Sequence, residues 1–150
     1  MSTRPMATDE LDDEINALLR RDDQRYTKGR RALVATLRAE GQPVTIPQIL
    51  DASDGLAQSS VYRNLVVLEE AGVVTRIVTN DDFARFELAE QFTHHHHHLI
   101  CSSCGDVVDF SLDDQAEAGL DEALHDVAEQ AGFTVEAHRL DLVGTCADCD

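Results

Sequence analysis

Apolar residues recur at helical spacing through the front of the chain and alternate at strand spacing further on. A short helix running from acidic to basic is predicted over 9–22. A second, over 27–40, carries Leu33, Val34 and Leu37 on one face and Arg30, Arg31 and Arg38 elsewhere, and Gly41 stops it. Thr45-Ile-Pro-Gln48 has a capping hydroxyl, a proline in the first turn and a glutamine three residues on, so a short helix over 46–52 follows. Asp54-Gly55 marks a turn. From Gln58 to Ala71, Val61, Leu65 and Leu68 fall at i, i+4 and i+7, a core stripe ended by Gly72. Two β-rich segments, 73–79 and 83–88, flank a predicted turn at 80–82.

The back of the chain reads as a strand over 106–110, an acidic helix over 112–130 and a long strand over 134–143. The helix has Leu120, Leu124 and Val127 as its expected core stripe, and Gly132 ends it. Four helices before two short strands, the last three with the strands making a winged helix-turn-helix, precede a strand–helix–strand that makes a small α/β lobe. The expected fold is therefore α+β, with a boundary near residue 90: 1–89 as the winged-helix domain and 90–150 as the α/β lobe.

With 150 residues, the chain holds one domain or two small ones. Its apolar runs are far shorter than the roughly 20 residues a membrane span needs. Met1–Glu14 lacks the apolar core of a signal peptide, so a cytoplasmic location is expected. A net charge of −17 argues at first against nucleic acid, but its distribution changes the picture. Residues 1–89 carry 11 basic and 15 acidic side chains, whereas 90–150 carry Arg139 against 14 acids. Arg20–Arg38 alone holds seven basic residues against Asp22 and Asp23. A locally basic front precedes a strongly acidic back, whose charge is either a solvated surface or partly neutralised by divalent cations.

The helix at 58–71 turns Ser59, Ser60, Tyr62 and Arg63 away from its apolar stripe, near its N-terminal end. A recognition helix presents that end to the major groove. Arginine reads guanine, hydroxyls reach phosphates, and an aromatic edge packs on a thymine methyl. Arg31 in the basic stretch, and Arg76 and Arg85 on the wing, are candidates for the DNA backbone or minor groove. The plainer alternative is a helical lobe with a surface Tyr-Arg pair.

The segment Phe92–Gly105, FTHHHHHLICSSCG, carries the candidate metal chemistry. A purification tag is a poor explanation: the run lies mid-chain and continues into an apolar Leu-Ile-Cys. In an extended strand, His94, His96 and His98 share one face and His95 and His97 the other, so one strand can feed two sites. Cys101-x2-Cys104 and Cys146-x2-Cys149, 41 residues apart, have the spacing of a closed four-thiolate zinc site. Two redox pairs or four buried thiols are the alternatives. His138, Asp109 and Asp121 are scattered but available to join the histidines.

SSVYRNLVVLEEAGVV, HHHHHLICSSCGDVVDF and GFTVEAHRLDLVGTCADC together resemble the ferric uptake regulator family, across residues 20–149. The resemblance implies a winged-helix domain joined to an α/β dimerisation domain, and a homodimer on a palindromic double-stranded operator. It implies structural zinc on Cys101, Cys104, Cys146 and Cys149. It implies a sensory site of Glu87, His96, His98 and Asp109 for a divalent metal (iron, manganese, zinc or nickel). A further site falls on His95, His97, Asp121 and His138, its acid placed by counting back from Gly132-Phe133, with Glu117 and Glu122 as alternatives. Two departures stand out. The family often supplies a sensory histidine just before the second helix of the motif, where this chain has Gly41-Gln-Pro-Val-Thr45. Zinc-sensing relatives often have a cysteine before the histidines and an aspartate at the wing, where this chain has Glu90-Gln-Phe-Thr93 and Val74-Thr-Arg76. Glu87 is left as the link between domains, and the lack of a thiolate favours iron or manganese over zinc.

The expected function is a metal-dependent transcriptional regulator, a repressor of metal-homeostasis genes. A peroxide sensor of the same family is the runner-up, and a zinc-trafficking or storage protein the alternative from another class. The chain has no Gly-rich phosphate loop and no nucleophile motif, so no enzymatic activity is expected.

Overall fold

The computed structural model describes residues 5–79 and 83–150. Helices α1 (Thr8–Arg21), α2 (Lys28–Glu40), α3 (Ile46–Ala52) and α4 (Gln58–Glu70) enclose the front half. Thr27 caps α2 on the Arg30 N–H, and Gly41 ends it in the left-handed conformation at φ 65°. Thr45 and Gln48 form the reciprocal capping box expected for α3. Strands β1 (Val44–Thr45), β2 (Val74–Ile77) and β3 (Arg85–Leu88) make an antiparallel sheet with β3 in the centre. β2 and β3 pair from Val74↔Leu88 to Ile77↔Arg85. This is a winged helix-turn-helix, and the predicted turn at 80–82 lies outside the described residues.

One apolar core fills this half. Leu11, Ile15 and Leu19 of α1, Leu33, Val34 and Leu37 of α2, and Val61, Leu65 and Leu68 of α4 converge on Phe86 and Leu88. Phe92, on a short 3-10 turn (Glu90–Phe92), belongs to the same core. The chain therefore remains tied to the front core just past residue 90.

The back half contains β4 (His97–Cys101), β5 (Val107–Phe110), α5 (Asp114–Gln130) and β6 (Asp141–Gly144). β4 is central, antiparallel to β5 and parallel to β6. Parallel pairing needs a long crossover, which α5 provides. Ile77 of the wing packs with Ile100 and Val107, so the two sheets meet through a small apolar contact.

Three expectations for this half are corrected. The helix begins at Asp114 rather than 112 because Asp113 caps it, accepting from the Ala116 N–H at 2.8 Å. The strand expected over 134–143 reduces to 141–144: β4 begins at His97 opposite this edge, and residues 133–139 pair with no strand among the described residues. The stripe Leu120, Leu124 and Val127 is not a core stripe here, since α5 has no buried residue and Val127 is 65% exposed. Val108, Leu99 and Leu142 are adjacent in register across three strands, and all are exposed. The apolar pattern is present, but this chain alone does not cover it.

Candidate metal centres and nucleic-acid interface

Among the described residues, three groups of metal-ligating side chains converge, each with ligand atoms within 4.8 Å of one another. The first is Cys101, Cys104, Cys146 and Cys149. The parallel register Cys101↔Gly144 delivers the second cysteine pair beside the first, and Gly105, at φ 79°, turns the chain from the first pair back into β5. All four thiols are free. Cys104 and Cys146 Sγ stand 3.8 Å apart, the edge of a tetrahedron with metal–sulfur bonds of about 2.3 Å. Backbone N–H groups of Cys104 and Cys146 point at Cys101 Sγ and bring its pKa down to about 6. Hydrogen bonding to Cys146 and Cys104 pushes Cys149 up to about 12. Thiols crowded this closely resist losing their protons together, which a divalent cation relieves. The donor set fits zinc and leaves no open position.

The second group is Glu87, His96, His98 and Asp109. Glu87 comes from β3, the central strand of the winged sheet, and is 7% exposed. Its Oε1 lies 3.0 Å from His96 Nε2 and 2.8 Å from His98 Nε2. Asp109 approaches both imidazoles at 3.6 and 3.5 Å across the β4–β5 register His98↔Asp109. Burial alone would raise the Glu87 pKa, but the two imidazole hydrogen bonds outweigh it and hold the carboxylate at about 2. Glu87 in turn lifts His96 to about 9. His98 is raised as well: burial opposes this, and the carboxylates of Glu87 and Asp141 prevail. Burial, then repulsion from Glu87, pushes Asp109 up to about 6. Asp109 Oδ1 is buried with no hydrogen-bond partner, a cost that a bound cation removes. Two imidazoles and two carboxylates, one of them with an unsatisfied oxygen, fit a divalent metal.

The third group is His95, His97, Glu117 and His138. Glu117 of α5 spans all three imidazoles, Oε1 at 2.8 Å from His95 and His138 Nε2 and Oε2 at 2.9 Å from His97 Nε2. Burial opposes ionisation of Glu117, and hydrogen bonds from His97, His95 and His138 prevail, holding it at about 2. Of the three acids weighed for this group, Glu117 rather than Asp121 or Glu122 stands among the imidazoles. Asp121 stands one turn further along α5, with its Oδ1 3.5 Å from the other ring nitrogen, His138 Nδ1, a place from which a carboxylate orients an imidazole.

The face alternation expected of the histidines is present: 96 and 98 go to one group, 95 and 97 to the other. His94 is exposed and joins neither. Sequence reasoning missed two supports. Glu90 contacts His95 Nδ1 and the His96 N–H, and Asp141 contacts His98 Nδ1 at 3.2 Å. Only the register of β6 could have placed Asp141.

On α4, Ser59, Tyr62 and Arg63 are exposed and Ser60 is half-buried; Tyr62 is 61% exposed, opposite the buried Val61, Leu65 and Leu68. Arg76 is exposed on β2. Arg85 is corrected: it is 6% exposed and donates to Thr79 Oγ1 and the Phe83 carbonyl, so it does not face DNA. Arg31 pairs with Asp12 at 3.0 Å and lies over the Tyr26 ring at 4.2 Å. Arg38 donates to Thr8 Oγ1 and the Met6 carbonyl. Much of the basic surplus of Arg20–Arg38 is therefore spent within the fold.

The model of the ferric uptake regulator family matches residues 21–143. The chain belongs to the ferric uptake regulator family. Among its relatives, the peroxide operon regulator of Bacillus subtilis is 33% identical over 148 residues, covering 96% of both chains. The ferric uptake regulation protein of Campylobacter jejuni is 33% identical over 151 residues, covering 95% of this chain and 90% of that one. The structure of the Helicobacter pylori ferric uptake regulator superposes with a TM-score of 0.74 at 22% identity, over 98% of this chain and 96% of the other, which shows the shared fold.

A cavity of about 620 Å³ opens between the end of α2 and the histidine strand, lined by Gln42, Glu87, His96 and Asp109 among others. Gln42 lines it where the resemblance led to the expectation of a histidine. An amide is a weak metal donor beside imidazole, so Glu87 is the strong donor that the front half offers.

Proposed function

We propose that this chain is a metal-gated, DNA-binding transcriptional regulator whose switch is the junction of Glu87 with His96 and His98. The regulator function and the metal and DNA partners follow from family membership; the assignment of residues is our own reading. Glu87 supports it most directly: it sits in the winged sheet and touches two histidines of the other half at 2.8 and 3.0 Å.

When bound, a divalent cation supplies positive charge that ties Glu87, His96, His98 and Asp109 together. Without it, Glu87 holds hydrogen bonds to both imidazoles, of which His96 is lifted to about 9, while burial and Glu87 push Asp109 up. Closing the junction fixes the angle between winged helix and histidine strand. In a homodimer this sets the spacing of two α4 helices, near one duplex turn of about 34 Å. The effect requires tighter binding to the closed arrangement than to the open one, and a coupling of about 1–3 kcal/mol gives roughly 5–150-fold in DNA affinity. Cys101, Cys104, Cys146 and Cys149 hold structural zinc, and His95, His97, Glu117 and His138 hold a second regulatory ion.

The division proposed is 1–89 for the winged helix and 90–150 for metal binding and dimerisation. The exposed row Val108, Leu99 and Leu142 and the uncovered face of α5 support a homodimer. No helix among the described residues is long and apolar enough to cross a membrane. A regulator of this kind works beside DNA, in the cytoplasm.

Duplexes enriched by the wild type from a random-sequence pool, with and without Mn(II), test the switch. Glu87→Ala is expected to abolish the metal dependence while the four-cysteine zinc remains. Metal-dependent binding that survives Glu87→Ala rules the junction out. Peroxide sensing is the second reading, supported by oxygen and imidazole ligands around one site and by the Bacillus subtilis relative. Its signature is one added oxygen on His96 or His98 after peroxide treatment of iron-loaded protein, seen by mass spectrometry.

A further inference from the structure

The first turn of α2 reaches the outer face of α4. Arg30 donates from Nε to Asn64 Oδ1 at 3.1 Å, and from Nη1 to Gln24 Oε1 at 3.1 Å and the Arg25 carbonyl at 2.7 Å. Asn64 follows Arg63 and lies one turn after Ser60 on the DNA-reading helix. Its amide nitrogen stands 3.5 Å from where a Cβ on Gly29 would lie, so α2 and α4 are in close approach there. Arg30, Ser60, Tyr62, Arg63 and Asn64 border one open cavity of about 550 Å³.

The inner face of α4 is held by Val61, Leu65 and Leu68. Apolar contacts are non-directional and tolerate small rotations. A planar guanidinium held at three points does not, because its donors leave in fixed directions. We propose that Arg30 is a positioning residue: it sets the orientation of α4 through Asn64, and so the discrimination of Tyr62 and Arg63 between sequences, without itself touching DNA. The idea rests on the regulator reading above. It assigns to Arg30 a role opposite to that of an arginine in a basic stretch, which would pair with a phosphate.

The two roles separate in salt and sequence dependence. A phosphate contact adds equally to all duplexes, and losing it lowers the salt slope by about 1 per protomer. Losing a positioning contact lowers affinity for the selected duplex while binding to random duplex, and its salt slope, stay the same. Arg30→Lys is the deciding variant: lysine keeps the charge and cannot reproduce the fork. Affinities for the selected and a scrambled duplex are measured with Mn(II) over a range of salt, well below the melting temperature of each variant.

Arg30→Lys and Asn64→Leu are each expected to cut the ratio of selected to scrambled binding about tenfold, with no change in salt slope. The double variant should lose little more than either single one. A variant that is merely less stable melts earlier but keeps the ratio in its folded fraction, and that result overturns the proposal. Wild-type behaviour of Arg30→Lys, or a fall on both duplexes with a reduced slope in Arg30→Gln, also overturns it. A wild type that enriches no duplex at all overturns the regulator reading with it, whereas a binding wild type with unaffected variants removes only the role of Arg30.

Discussion

Glu117 and Asp121 show what one helical turn decides. They are four residues apart on α5, so both lie on the same face. Sequence spacing cannot choose between them, because the choice depends on how far along its axis the helix stands against β4. The structure puts Glu117 on three Nε2 atoms and Asp121 behind His138. Glu117→Ala should therefore eliminate one Co(II) or Zn(II) equivalent in a spectroscopic titration, whereas Asp121→Ala should weaken that ion by roughly 10-fold or more without losing it. Equal losses would make Asp121 a direct ligand. The Glu87–His96 pair gives a pH dependence for metal-free protein. Glu87 is held at about 2 and His96 at about 9, against usual values of 4.5 and 6.5. Their contribution is fully present from pH 4.5 to 6.5. It is lost as pH rises through 9, where His96 deprotonates, and as pH falls through 2, where Glu87 protonates. Between pH 6.5 and 9 the metal-free protein should lose on the order of 1–3 kcal/mol in denaturant melts. Glu87→Gln should flatten that decline, and an unchanged profile would remove the pair as its cause.

At the level of elements, the front half was readable because local signals agree with one another. Leu33, Val34, Leu37, Val61, Leu65 and Leu68 were assigned to the core by spacing alone, and each is at most 3% exposed. The Thr45–Gln48 box likewise formed as written. Leu65→Ala is expected to cost about 2–5 kcal/mol in thermal or denaturant unfolding. The same periodicity misplaced α5, because a periodic stripe identifies an apolar face and not what covers it. The segment 134–143 failed for a related reason: alternation permits a strand, but hydrogen bonds to a neighbour make one. β6 forms only where it runs beside β4, with the second cysteine pair immediately after it. Cys146→Ser should release zinc and expose the chain end to proteolysis while α1–α4 keep their helical signal. Retained zinc would show that three thiolates suffice.

For the whole molecule, the division of charge acquires a structural meaning. The acidic half contains all three clusters except Glu87, and cations bound there offset part of the −17 that opposes approach to phosphate. The same half buries little apolar surface. Leu99, Val108, Leu142, Val143, Val127 and Phe133 are all 43% exposed or more, a set that a soluble monomer would rarely display together. Sedimentation velocity should give a dimer for the wild type. Leu99→Asp together with Val127→Asp should yield monomers with zinc still bound, and a wild-type sedimentation coefficient in that variant would place the interface elsewhere.

By itself the sequence determined the winged helix, the two sets of alternating histidines and the four-cysteine clip. Each depends on short-range periodicity, or on cysteine spacing that leaves few geometric solutions. Only the tertiary structure decided which acid joins His95 and His97, that Arg85 is buried, and that Arg30, Arg31 and Arg38 are occupied within the fold. Those outcomes depend on packing between elements far apart in sequence. Rotation and translation of whole helices and strands set the distances there, and no local pattern encodes them.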